Sequence, residues 1–458
     1  MTEEATKASR RRWRWESLTG GGVLFQEDGF RRLWIGRVLS HAAVNTVLYT
    51  LLILAVGEGS GSSIKSALFI TAYLLPTATL GTISGVLVDR LPKNLVLTVA
   101  NLVRAGLMLV LLMAGTSLPA VYGIALLLAI TSQVASPAES AAVPQVVRTD
   151  QLTMANSTNN FGGLVSQVIG FAVLPPLFLN TVGPRPLFFI AALMFGASAG
   201  FFLLIRSLRT GPVTMASTVK AVRNIRTQFA EGWERLSADM AAYMGVIIMV
   251  LASTASLVAV TLMPRFAQDT LDIPVRNAIF VFLPAALGAV VGLRLVQLLE
   301  RWMPKAWLVG VAFALLAVSF GGLSLTIPFA GMLEDFNPLG AFKPGPFGET
   351  TARIVVTIFF SALAAFSISV IGVASRSLVN ERLPLEVQGR VFAAQVVLTN
   401  LASIPPILLA GFLSEVFGVA PMMFLTMVIL VAAAGWSLAR AMSRPQPLDN
   451  AETRRTTV

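Results

Sequence analysis

Twelve runs of roughly 20 apolar residues recur along the chain, and they constrain its fold more than any other feature. A helix of about 20 residues crosses the roughly 30 Å of hydrocarbon in a bilayer. The runs are 33–56, 64–88, 95–115, 121–147, 155–179 and 187–206, then 241–262, 277–299, 307–327, 353–379, 390–416 and 422–440. The expected fold is an all-α membrane protein with twelve spans in two six-helix bundles related by pseudo-two-fold symmetry. Composition agrees: 55% of the 458 residues are hydrophobic and only 12% are charged, about half the charge of a soluble domain. With 0 Cys and 1 His, thiolate metal sites and Cys–His nucleophile pairs are excluded. No metal or other cofactor is expected.

Where the basic residues fall decides what the net charge of +11 means. Lys7, Arg10, Arg11, Arg12, Arg14, Arg31 and Arg32 precede the first run, and Arg206, Arg209, Lys220, Arg223, Arg226 and Arg235 crowd the middle segment. The opposite loops hold only Lys65, Arg185, Arg265, Arg276, Lys343 and Arg353. This asymmetry places both termini and the middle segment in the cytoplasm of an inner-membrane, multi-pass protein. It explains the charge as topology and removes nucleic acid as a partner; membrane lipids take its place. The organisation read from the chain is a basic tail 1–32, a bundle 33–206, a cytoplasmic linker 207–240, a bundle 241–440 and a tail 441–458. An external loop, 328–351, carries Asn337-Pro338, Lys343-Pro344 and Gly345-Pro346, a density of Pro and Gly expected of an extended segment.

The two halves repeat a detail. The second run ends Gly85-Val-Leu-Val-Asp89-Arg90-Leu-Pro92-Lys93, and the eighth ends Glu300-Arg301-Trp-Met-Pro304-Lys305. An acid–Arg pair followed by Pro-Lys thus closes the corresponding run of each half. Six spans repeated in tandem set two bundles side by side, with a site between them near midplane.

The segment from Gly85 to Lys93 resembles the loop 2–3 motif of the major facilitator superfamily. Ser136-Pro137-Ala138-Glu139-Ser140 with Pro144, and Gly389-Arg390-Val391-Phe392, are similar to its macrolide-exporter-like drug efflux branch. The resemblance covers about residues 30–440. It implies multidrug or macrolide-type export by alternating access, with an ion gradient as energy source and protons as the candidate ion in an antiporter. Pro92 stands where the motif usually has Gly, and Val44 where that branch often has an acid. Gly85, Asp89, Arg90, Lys93, Glu300, Arg301, Gly389 and Arg390 are the conformational candidates. Asp89 is expected to face the helix start at Arg390, because a carboxylate is favoured at a helix N-terminus.

Inside the spans, charge is costly, about 2.5–3.5 kcal/mol per residue at the helix centre on insertion scales. Arg104 in span three and Glu139 in span four sit at similar depth on antiparallel helices, so they are expected to pair, or Glu139 to reach the Asp89 loop. The pair could be static, locking the first bundle, or Glu139 could take up a proton during the cycle. Polar residues at four-residue spacing share a helix face: His41, Asn45 and Tyr49 in span one; Asn159, Gly163 and Gln167 in span five; Gln395, Thr399 and Ser403 in span eleven. With Gln133 and Asn400 they are the candidate cargo-binding residues, although each also suits a helix–helix hydrogen bond.

The absence of a Gly-x-x-x-x-Gly-Lys-Ser/Thr loop argues against ATP hydrolysis, and no catalytic constellation is present. A monomer that exports lipophilic small molecules is therefore expected. Two alternatives remain open: a lipid or lysophospholipid flippase on the same fold, which Pro137-Ala138 and Ala72-Tyr73-Leu74 also resemble, and a non-transporting subunit of a larger membrane complex.

Overall fold

The computed structural model describes residues 24–57, 61–88, 91–205, 234, 236, 237, 239–335 and 348–442. Twelve long helical segments follow one another. In the first half they are α1 (Asp28–Val56), α2 (Ser63–Val88), α3 (Lys93–Ala114), α4 (Leu118–Val146), α5 and α6 (Arg185–Leu203). In the second they are α7 (Met240–Asp269), α8, α9 (Lys305–Ser324), α10 (Gly348–Arg382), α11 (Leu385–Phe417) and α12 (Val419–Met442). Two are compound. Segment α5 joins Leu152–Gln167 and Leu174–Thr181 through a π-helical turn, Val168–Val173. Segment α8 runs from Val275–Asn277 through Ala278–Phe282 to Ala285–Trp302. Among the described residues, 11 helices are long and apolar enough to cross a membrane; α2, at 26 residues, completes the set.

Proline and glycine set the ends. Proline precedes the first residue of α3, α9 and α11, at Pro92, Pro304 and Pro384, where a missing N–H costs nothing. Gly57 ends α1 at φ 81° and donates its N–H to Ile53 O. That left-handed conformation favours glycine.

Helix packing in the first half recurs six segments later. Segment α3 packs on α4 and α6, α2 on α4, and α1 on α4, α5 and α6; α9 packs on α10 and α12, α8 on α10, and α7 on α10, α11 and α12. The chain therefore folds as two copies of one six-helix arrangement. Between the copies, α2 packs on α11 and α7, and α5 meets the first turns of α8.

Within the tail read as 1–32, Leu24 and Phe30 are fully buried with Val88, Leu97 and Phe202. These apolar side chains bury themselves against the bundle. One expectation changes here: the insert 328–351 is not extended throughout, since Thr326–Asp335 is a helix. Pro328 sits in its first turn, where no backbone N–H is needed, and the Asn337–Pro346 stretch lies outside the described residues.

Candidate functional site

The helices alternate in direction, so the start of α1 and the α2–α3 turn share one face, the terminal face. The α1–α2, α7–α8 and α11–α12 connections share the far face.

At the far face the bundles touch. Ser62 Oγ donates to Glu415 Oε1 at 2.7 Å, and the backbone N–H of Ile64 reaches the same oxygen at 3.3 Å. Arg265 on α7 holds the other oxygen at 2.5 Å. Glu415, on α11, thus bridges its own bundle and the first turn of α2. Gly411 makes the approach possible: a Cβ there would fall 2.6 Å from the Ala67 Cβ. On the other side of the interface, Asn180 donates to Asn277 Oδ1 at 2.9 Å. Tyr49 donates to the carbonyl oxygens of Val275 and Arg276 at 3.5 and 3.4 Å. Tyr49 is buried, so it belongs to this seal and not to an open cargo surface.

Deeper in the first bundle, Glu139 is only 3% exposed. Its Oε2 lies 2.8 Å from His41 Nε2 and 3.2 Å from Arg37 Nε. Arg37, His41, Asn45 and Tyr49 recur every four residues down one face of α1. The His41 side chain is 42% exposed, so the buried acid is linked through its ring to the surface of the bundle.

Arg104 makes no ion pair with Glu139, contrary to the expectation. Its guanidinium donates to three hydroxyls instead: Thr131 at 2.9 Å, Ser40 at 2.9 Å and Ser132 at 3.0 Å. Ser40 in turn donates to Asn101 Oδ1, and Phe195 lies 5.8 Å from the guanidinium carbon. The sequence placed the two charges at one depth, but Arg37 and His41 approach Glu139 from α1 and occupy it. Arg37 falls within the first apolar run, and its position there is the signal that could have found it. Arg294, within the run 277–299, is a second such residue.

The other candidates are distributed between cleft and packing. Gln133 donates to Thr77 Oγ1 at 2.6 Å, linking α4 to α2. Asn45 lies beside Gly170, in the π-helical turn of α5, where a Cβ would fall 2.5 Å from the Asn45 Cβ. Asn159 is buried with neither amide atom partnered, and Gln167, two turns on, is exposed. On α11, Gln395 donates to Thr399 at 2.9 Å while its Oε1 stays unpartnered; Asn400 is half-buried. Ser403 shares a hydrogen bond of 2.7 Å with Thr254 of α7.

Of the conformational candidates, Asp89 and Arg90 lie outside the described residues, as does the side chain of Arg390; Gly85 lies within α2 and Gly389 within α11. The expected contact of Asp89 with Arg390, and its equivalence to Glu300, therefore lie outside them too. Lys93 is buried and donates to the carbonyl oxygens of Val88, at 2.7 Å, and Leu91, at 3.2 Å. A cation there favours the carbonyl end of α2. Its counterpart Lys305 binds Ser377 and Glu381 of α10 instead. Glu300 keeps Oε1 buried without a partner, and Arg301 is exposed.

A family model described as Major Facilitator Superfamily matches residues 33–405. No curated protein sequence matches the chain. Among solved structures, the nucleoside transporter NupG is similar with a TM-score of 0.65 at 13% identity, over 90% of this chain and 98% of that one. A bacterial homologue of the human lysosomal transporter Spinster, in an inward-facing and unoccupied conformation, has a TM-score of 0.64 at 15% identity, over 92% and 99%. A peptide transporter, POT, in complex with sulfate has a TM-score of 0.67 at 13% identity, over 91% and 95%.

Proposed function

Because the chain belongs to the major facilitator superfamily, we propose that it exports lipophilic small molecules by alternating access, driven by a proton gradient. It is a multi-pass membrane transporter and not an enzyme. The observation that carries the reading is the bridge of Glu415 to Ser62 and Ile64, with Tyr49 against Val275 and Arg276. With the termini in the cytoplasm, as the Lys/Arg bias asks, these contacts close the external face. Export requires them to part, and each is a small polar contact that can re-form once per cycle.

Glu139 suits the proton step. It is the acid at the end of a polar path that begins at the half-exposed His41 ring, and Arg37 faces it too. The charge of Arg104 also acts on Glu139. Protonation of Glu139 would release Arg37 and His41 and so change the charge that α1 presents to the cleft.

The test is uptake and efflux in proteoliposomes with and without an imposed proton gradient. Gradient-dependent movement of lipophilic compounds is expected. Movement of lysophospholipid alone would support the flippase reading, and a stable stoichiometric partner with no movement the subunit reading.

A further inference from the structure

The charge inside the spans bears on what the cargo carries, and the argument rests on the transport reading above. Arg294 lies within the apolar last piece of α8, Ala285–Trp302. It is exposed and takes part in none of the ion pairs, hydrogen bonds or ring contacts of the described residues. Two turns of the same helix face α10, since a Cβ at Gly288 or Gly292 would meet the carbonyl oxygens of Ala362 and Phe366. Arg294 follows Gly292 by two residues, roughly 200° around the axis, and so looks away from α10. Leu287 and Leu298, on that same side, are 69% and 48% exposed.

An unpaired guanidinium is disfavoured in hydrocarbon, and charges within spans face water or the bundle interior. The first turns of α8 meet α5 of the other bundle, so the side of α8 turned away from α10 is the one that can border the cleft between the bundles. Arg37 and His41 of α1 lie on the face whose far end touches the first turn of α8 through Tyr49. The acid there, Glu139, is already engaged by Arg37 and His41 and lies in the field of Arg104. Glu300, on the α10-facing half of α8, keeps Oε1 buried. Among the described residues these groups are more cationic than anionic, and Arg294 has no counter-ion there.

We infer that the cleft selects amphipathic organic anions: an apolar body bearing one carboxylate, sulfonate or phosphate group, whose oxygens Arg294 holds. A guanidinium offers paired donors that match the oxygens of such a group. The apolar side chains beside it, Leu287, Val290 and Leu298, suit the body of the molecule.

The test uses the full chain in phosphatidylcholine nanodiscs and two probes of one shape, naphthalene-2-sulfonate and (2-naphthyl)trimethylammonium. The sulfonate should bind about tenfold more tightly than the cation. Arg294→Gln should erase that preference while Arg294→Lys keeps most of it, which separates loss of charge from loss of fold. Lysophosphatidylglycerol should displace the sulfonate more strongly than lysophosphatidylcholine if lipid headgroups reach the same site. Equal binding of the two naphthalenes or an unchanged preference in Arg294→Gln would overturn the inference. If the preference holds but no compound exchanges in proteoliposomes, the anion site stands and the transport reading fails. If compounds of either charge exchange equally, the transport reading stands and the anion site fails.

Discussion

Ser62 and Glu415, at the ends of helices from opposite bundles, are joined by a hydrogen bond of 2.7 Å. Arg265 holds the same carboxylate from α7, so one acid ties the first turn of α2 to two helices of the second bundle. A charge-assisted bond at a partly exposed site is worth about 1 kcal/mol, which changes a two-state population by roughly fivefold. Glu415→Gln should raise the fraction of molecules open at the far face by about that factor. The chain has 0 Cys, so cysteines can be placed singly. Ser62→Cys with Glu415→Cys, joined by a short bifunctional reagent, should stop transport, and reductive release should restore it. Full transport by the cross-linked protein would refute the opening motion.

Glu139→Gln tests the proton step. It removes the charge that Arg37 and His41 face while keeping the shape. Exchange of cargo without a gradient should persist, and its response to an imposed proton gradient should vanish. A variant that still concentrates cargo against its gradient when protons flow would assign coupling elsewhere.

Arg104 binds three hydroxyls from three directions, a geometry a single ammonium cannot reproduce. Arg104→Lys should therefore lower the stability of the first bundle by about 2–4 kcal/mol, because buried polar groups lose their partners. Thermal unfolding in detergent, followed by tryptophan fluorescence, measures this; an unchanged midpoint would show that Arg104 is dispensable.

Gly170 in the π-helical turn lets α5 approach Asn45 and the carbonyl of Ala42. Gly170→Val should force α1 and α5 apart, at a cost of about 1–3 kcal/mol. The conservative control is Gly163→Ala, where a Cβ meets nothing within 4 Å and no loss is expected. The same thermal assay reads both.

Orientation is testable without any transport assay. A reporter inserted after Thr227 should be cytoplasmic and one near Gly340 external, from the Lys/Arg asymmetry. The reverse labelling would place the Glu415 bridge on the cytoplasmic face and invert the proposed cycle.

Periodic apolar length was sufficient for the spans and the repeat, because a bilayer admits only chains that satisfy their own backbone and hide it in about 20 residues at a time. The residue pattern also isolated Glu139 and Arg104, since charge inside an apolar run is conspicuous. It missed Arg37 and Arg294, which lie in such runs just as plainly, and it joined Arg104 to Glu139.

Sequence by itself determined the class of fold, the two-bundle division and the set of polar residues inside the spans, for each follows from hydropathy counted along one dimension. Only the tertiary structure decided which of those residues meet. Rotation of a helix about its axis is set by neighbours that are distant in sequence: it turns His41 and Arg37 of α1 onto Glu139 and leaves Arg104 to hydroxyls. It also puts Tyr49 against α8 and strands Arg294 without a partner. Depth in a membrane can be counted from residue number, but the azimuth at which a side chain leaves its helix depends on what packs behind it.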